Sequence, residues 1–60
     1  MFEILRAERG GYYWRLKALN GETLCHSEVY TTKQAALGGI EAMKRVAPNA
    51  PVHDRTLAGN

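Results

Sequence analysis

Between Tyr12 and Ala18 the chain alternates without a break, with Trp14, Leu16 and Ala18 on one side and Tyr13, Arg15 and Lys17 on the other. A period of two sends successive side chains to opposite faces of a strand, so this segment reads as a β-strand with one apolar face. "FEILRA" behaves alike, Phe2 and Ile4 facing one way and Glu3 and Leu5 the other. Between them "ERGG" predicts a hairpin turn, because Gly10 and Gly11 can take the positive φ angles that a tight reversal needs.

"LNGE" is the second turn signal, and it can close in two ways. A two-residue turn at Asn20-Gly21 sets Leu19 opposite Glu22 and Lys17 opposite Leu24. A three-residue loop, with Gly21 as the left-handed residue of a bulge, sets Ala18 opposite Glu22 and Leu16 opposite Leu24. The two differ by one residue, which moves every side chain to the other face. Burying Leu24 beside Leu16 outweighs an apolar-cation pair, so the three-residue loop is expected. Trp14 then faces His26 and Arg15 faces Cys25.

"ETLCHSEVY" supplies a third strand, and "TTKQAALGGIEAMKRVA" has the period of a helix. Ala36, Gly39, Ile40, Met43, Val46 and Ala47 share one face, with Leu37 flanking it. Thr31 or Thr32 can cap the first amides, and Thr31 with Gln34 has capping-box spacing. Lys44 and Arg45 complement the helix dipole at the far end, and Pro48 and Pro51 stop the helix. Val52 to Asp54 is a candidate short final strand. The pattern predicts an α+β fold: a three-stranded antiparallel meander with one helix packed on one sheet face. Its core is expected to hold Phe2, Ile4, Trp14, Leu16, Leu24, Leu37, Ile40, Met43 and Val46.

Sixty residues make one domain, expected over 1–55 with a flexible tail at 56–60. A chain this short buries only about 60% of the surface its unfolded form exposes, so stability is marginal and some reinforcement is expected. A single cysteine gives neither an internal disulfide nor a zinc framework, and pairing with a second copy is the remaining route. "MFEILRAERG" carries no apolar run fit for a signal peptide or membrane span, and one unpaired thiol fits a cytoplasmic location. Eight Lys or Arg against six Asp or Glu leave a net charge of +2, which allows an anionic partner without demanding one.

At "WRLKALNGE", followed by "SEVYTTKQAALGGIEAMKRVAPNA", the chain resembles a YegP-like domain, a family of small bacterial proteins of uncharacterised function. The resemblance runs from about Phe2 to Asp54. Its specific elements are Trp14 to Ala18, the turn Asn20-Gly21-Glu22, Ser27-Glu28 with Tyr30, and Gly39-Ile40 with Lys44. The chain departs from the family's pattern at Val29, where glycine is frequent, and at Cys25-His26, where small residues are usual. The resemblance implies the β-β-β-α order and brings no catalytic residues or cofactor. Several relatives carry two units in tandem, which implies that a single-copy chain pairs with itself.

The candidate chemistry is thin. Cys25 and His26 are strand neighbours pointing to opposite faces, so they do not form a thiolate and its base. His26, His53, Asp54 and Glu28 have no metal-ligand spacing, and no metal is expected. Gly38-Gly39 costs a helix about 2 kcal/mol relative to two alanines, and Gly39 is expected to admit Trp14 or another bulky group against the helix backbone. Glu28 and Tyr30 are expected to fix the strand-to-helix corner, the Tyr30 hydroxyl making a hydrogen bond and Glu28 pairing with Arg15 or Lys17. As a functional alternative, the two line a corner pocket. Tyr13, Arg15 and Lys17, with Lys44 and Arg45, form the candidate surface for a partner or an anion. An aromatic beside cations suits single-stranded nucleic acid, although Glu3, Glu22 and Glu28 lie near enough to neutralise the row. The expected function is a non-enzymatic interaction module acting as a homodimer, with weak nucleic-acid binding as the alternative.

Overall fold

Both reversals of the sheet use the same three-residue loop, with glycine in its last position. At the first, the Ala7 amide donates to the Gly11 carbonyl at 3.0 Å and the Gly10 amide to the Ala7 carbonyl at 3.1 Å. At the second, the Ala18 amide donates to the Glu22 carbonyl at 2.8 Å and the Gly21 amide to the Ala18 carbonyl at 2.9 Å. Gly10 and Gly21 hold φ angles of 100° and 90°, a region that costs other residues about 1–2 kcal/mol. The three-residue closure expected at Asn20-Gly21 is the one formed.

The computed structural model describes residues 1–56; the remainder of the expected tail, 57–60, lies outside the described residues. Strands β1 (Phe2–Arg6), β2 (Tyr12–Lys17) and β3 (Thr23–His26) precede helix α1 (Lys33–Val46) and a 3₁₀ turn, Ala47–Asn49. The sheet is antiparallel in the order β1-β2-β3, with Phe2 opposite Leu16 and Ile4 opposite Trp14.

β3 starts in the expected register, Lys17 opposite Thr23, and then slips by one residue. Leu16 faces Cys25 and Arg15 faces His26. Leu24 is the extra residue and is 59% exposed, so its expected burial beside Leu16, and the pairings of Trp14 with His26 and Arg15 with Cys25, are corrected. The slip has a physical logic. In the unshifted register His26 would lie beside Trp14 on the covered face, where an imidazole needs a hydrogen-bond partner. The bulge instead turns the small apolar Cys25 toward the core and brings Ser27 to Trp14. The Trp14 amide donates to Ser27 Oγ at 3.0 Å, and the Ser27 amide donates to the Trp14 carbonyl at 2.8 Å.

The helix is capped by Thr32, whose Oγ1 accepts the Ala35 amide at 3.0 Å. With Thr32 as the cap, the third helical residue is Ala35, so the Thr31–Gln34 capping box is not used. Lys44 and Arg45 occupy the last turn, and Pro48, lacking an amide, sits in the 3₁₀ turn that ends the helix. No strand forms at Val52 to Asp54. Asp54 instead closes a local turn, its Oδ1 accepting the Thr56 amide at 2.9 Å and the Thr56 hydroxyl at 2.5 Å.

Among the described residues, Trp14, Ala36 and Ile40 are the buried hydrophobic ones, ringed by Phe2, Ile4, Tyr12, Cys25, Tyr30 and Met43. The Phe2 ring meets the Trp14 indole edge to face at 5.4 Å, a contact worth about 0.5–1.5 kcal/mol beyond the area buried. Leu37 and Val46 were expected in this core but stand exposed. The helix reaches β1 and β2 and does not extend over β3, so it buries only a narrow stripe. Leu37 lies on the flank of that stripe and Val46 at the helix's last residue.

Gly39 is where the helix meets the sheet. A Cβ there would collide with the Tyr30 hydroxyl and lie 2.9 Å from Trp14 Nε1, whereas a Cβ at Gly38 would meet nothing within 4 Å. Gly39→Ala is therefore expected to destabilise the fold by about 1–2 kcal/mol, overpacking outweighing the gain in helix propensity. Gly38→Ala is expected to stabilise it by about 1 kcal/mol. Urea-unfolding midpoints of the two variants should move in opposite directions, and a shared direction would refute the packing role of Gly39.

Candidate functional site

With α1 on one face, the sheet presents the other to its surroundings. Glu3 lies opposite Arg15, Leu5 opposite Tyr13, and Arg15 opposite His26, so these side chains and Lys17 share the uncovered face. The Tyr13-Arg15-Lys17 row is formed as expected. Its charge is partly spent within the sheet. Arg15 Nε donates to Glu3 Oε1 at 2.7 Å, with both side chains about a third exposed. Glu28 was expected to pair with Arg15 or Lys17, and Glu3 takes Arg15 because the β1–β2 register sets the two directly across from each other. This hydrogen bond holds the Glu3 carboxyl below its ordinary range, with further help from the charges of Arg15, Lys17 and the terminal amine.

At one end of the uncovered face lies an open depression of about 460 Å³, lined by Arg6, Ala7, Glu8, Tyr13, His26, Ser27, Glu28 and Val29. Its floor arises where the chain leaves β3 and returns to β2. The Tyr12 amide donates to the Tyr30 carbonyl at 2.8 Å and the Tyr30 amide to the Tyr12 carbonyl at 2.6 Å. Gly11 permits this return, since a Cβ there would lie 2.6 Å from the Tyr30 carbonyl oxygen and 2.7 Å from Val29. The corner splits the expected pocket. Glu28 lines the depression, whereas the Tyr30 ring passes to the other layer and ends against Gly39. Steric fit against the helix, and not the expected hydroxyl hydrogen bond, is what the described residues provide for that ring.

The remaining candidates do not join this surface. Lys44 and Arg45 are placed in the last turn of α1, in the layer on the far side of the sheet. The Arg6 guanidinium sits 5.3 Å from the centre of the Tyr12 ring. Cys25 packs on the core side while His26 is exposed on the other face. Among the described residues, no three His, Cys, Asp or Glu side chains gather as metal ligands. Of the lining residues, Tyr13 and Glu28 are the two that the sequence reading proposed, and His26 is one that alternation places on the wrong face. A pattern read along β3 puts His26 on the covered face, and only the bulge at Leu24 reverses it. The face as built offers an aromatic, an imidazole, two carboxylates and cations around a shallow hollow. That suits contact with another macromolecular surface better than enclosure of a small substrate.

No helix among the described residues is long and apolar enough to cross a membrane. A family described as a domain of unknown function, DUF1508, matches residues 7–54. The UPF0339 protein Atu0232 of Agrobacterium fabrum is 44% identical over 55 residues, covering 92% of this chain and 89% of the relative. A UPF0339 protein of Bordetella pertussis is 42% identical over 57 residues, covering 95% of this chain but 51% of the relative. The chain thus spans about half the length of the Bordetella relatives it matches. Among solved structures, a Haloferax volcanii protein in solution is similar at a TM-score of 0.81 with 42% identity, over 90% of this chain and 92% of that one. The solution structure of ATU0232 from Agrobacterium tumefaciens is similar at 0.76 with 40% identity, over 100% and 97%.

The Glu3–Arg15 pair has a pH signature. Because the Glu3 carboxyl is depressed in the folded state, its contribution to stability is present above its ordinary value and is lost as pH falls through the depressed one. Glu3→Gln should therefore be less stable than the parent at neutral pH, and the gap should close as acid protonates the Glu3 carboxylate. Unfolding midpoints of both proteins from neutral to acid pH check this, and a gap independent of pH would show that the charge of Glu3 plays no part.

Proposed function

The chain belongs to the DUF1508 family, and on that footing we propose that it is a non-enzymatic interaction module that works as a homodimer. The observation that carries this reading is the thinness of the core. Among the described residues, three buried hydrophobic side chains, Trp14, Ala36 and Ile40, are few even for a 60-residue chain. A second copy is the reinforcement open to a chain with one cysteine. Relatives of about twice this length lend support, since two copies of this chain would supply a body of similar size. A lone thiol packed in the core suits a reducing, cytoplasmic setting. No catalytic step is assigned to any residue.

Binding of nucleic acid by Tyr13, Arg15, Lys17, Lys44 and Arg45 is the weaker reading. Arg15 is already bound to Glu3, and the two lysine-arginine groups lie on opposite sides of the sheet. Binding to a labelled oligonucleotide that falls steeply with salt and is lost in Arg15→Ala with Lys17→Ala would favour it. For the leading reading, sedimentation equilibrium at micromolar concentration is expected to give twice the 6.7 kDa chain mass. A stable monomer under those conditions would overturn the homodimer.

A further inference from the structure

The depression at the end of the uncovered face has its side-chain donors and acceptors in different states. Its donors are committed within the chain. The Ser27 hydroxyl donates to the Glu28 carbonyl at 2.7 Å. The Arg6 guanidinium sits 5.3 Å from the centre of the Tyr12 ring, which packs against the core on the covered side. The acceptors stay open. Glu8 and Glu28 line the hollow and are exposed, and neither carboxylate takes part in an ion pair or hydrogen bond among the described residues. His26 adds a third acceptor. Its Nδ1 lies 3.3 Å from the Ser27 carbonyl oxygen. A carbonyl only accepts, so this contact assigns the proton to Nδ1 and leaves Nε2 of the neutral ring with its lone pair.

We propose that this depression is the docking site for an arginine side chain presented by an exposed segment of a partner protein. The proposal rests on the interaction-module reading above and names the chemistry that the module recognises; it does not depend on the homodimer. Three open acceptors, two of them charged, call for an occupant that is positive and donates in several directions. A guanidinium is both: it is planar, carries five N–H donors and has no acceptor. An ammonium brings the charge on a compact, more strongly hydrated centre and lacks the fork that engages a carboxylate through two bonds.

The rest of the lining suits the same group. Tyr13 contributes an aromatic ring, on whose face a guanidinium stacks, and its hydroxyl can accept as well as donate. Val29, an exposed apolar side chain, gives the methylene stem a wall to lie along. The protein's own cations leave the place vacant: Arg15 is held by Glu3 at 2.7 Å, and Lys17 lies at the far end of β2, opposite Thr23. The net charge of +2 does not oppose the contact, because charges beyond about 8 Å are largely screened at physiological salt and the nearby carboxylates decide. The hollow, about 460 Å³ and open, admits one side chain reaching in from a larger body, whereas a free small molecule is held by enclosure.

Titration of the intact, isotope-labelled chain with the blocked tripeptide Gly-Arg-Gly, followed by NMR, tests the site. Shifts are expected to saturate and to centre on the amides of Glu8, Tyr13 and His26 to Val29. Glu8→Gln combined with Glu28→Gln is expected to weaken binding by about tenfold or more, whereas Glu22→Gln, an exposed acid at the other turn, leaves it unchanged. The same spectra, unaltered away from the hollow, show that the double variant is folded. A peptide with citrulline in place of arginine keeps the shape without the charge and is expected to bind about tenfold or more weakly. Equal affinity for citrulline, or full affinity in the double variant, overturns the cation site. A lysine peptide that binds as tightly as the arginine one overturns the assignment to guanidinium. Absence of any saturable shift overturns the site and leaves a homodimer seen by sedimentation standing. Saturable binding by a chain that sediments as a monomer overturns the homodimer and leaves the site.

Discussion

The seating of the Trp14 indole beneath α1 is the contact on which the other parts of the fold converge. It draws in the β1 register, because Ile4 lies opposite Trp14 and the Phe2 ring meets it edge to face. It draws in β3, because Ser27 bonds the Trp14 backbone through both its amide and its hydroxyl. It constrains the helix most, because Gly39 must stay bare where the indole and the Tyr30 hydroxyl come close. The fit is apolar in character: among the described residues, Trp14 Nε1 is buried without a hydrogen-bond partner, an omission that costs about 1–3 kcal/mol in a typical interior. A core of this size has little reserve against such a cost.

The same geometry decides what the molecule can offer outward. A helix lying over β1 and β2 covers one face alone, so the odd positions of β1 and β2 become surface. The Glu3–Arg15 bond makes that surface less basic than the lettering Tyr-Trp-Arg-Leu-Lys suggests. At its end, the return of the chain at Tyr12 and Tyr30 opens a hollow ringed by groups of both charges. A face of mixed sign, shallow and partly apolar, fits recognition of a matching surface more than attraction of a polyanion.

Much of this was legible in the residues. Alternation located β1 and β2, the third strand was placed but read longer than the four residues that form it, the glycines located both turns and the loop length of the second, and Gly39 was identified as a point of close approach. The errors share a cause. Leu24 and Cys25 exchange roles because a bulge is a tertiary choice, selected by what Trp14 will accept beside it, and no local pattern announces it. Leu37 and Val46 are apolar at helical spacing, yet burial depends on how far the sheet extends beneath the helix. The corner residues Glu28 and Tyr30 divide between two layers for the same reason. The site row was legible in β2, where pairing is regular, and illegible in β3, where His26 reaches the surface only through the slip.

The meander order β1-β2-β3, joined by two three-residue loops, also bears on how the chain reaches this state. Each strand pairs with its neighbour in sequence, so the sheet needs closure of only short loops, and hairpins of this kind form in about 1–10 μs. The one demanding search is the docking of α1 onto Trp14, which spans residues far apart along the chain. A low contact order of this kind favours rapid folding. It also makes the helix the element with most to lose during transient opening, so that the indole and its covering are exposed together.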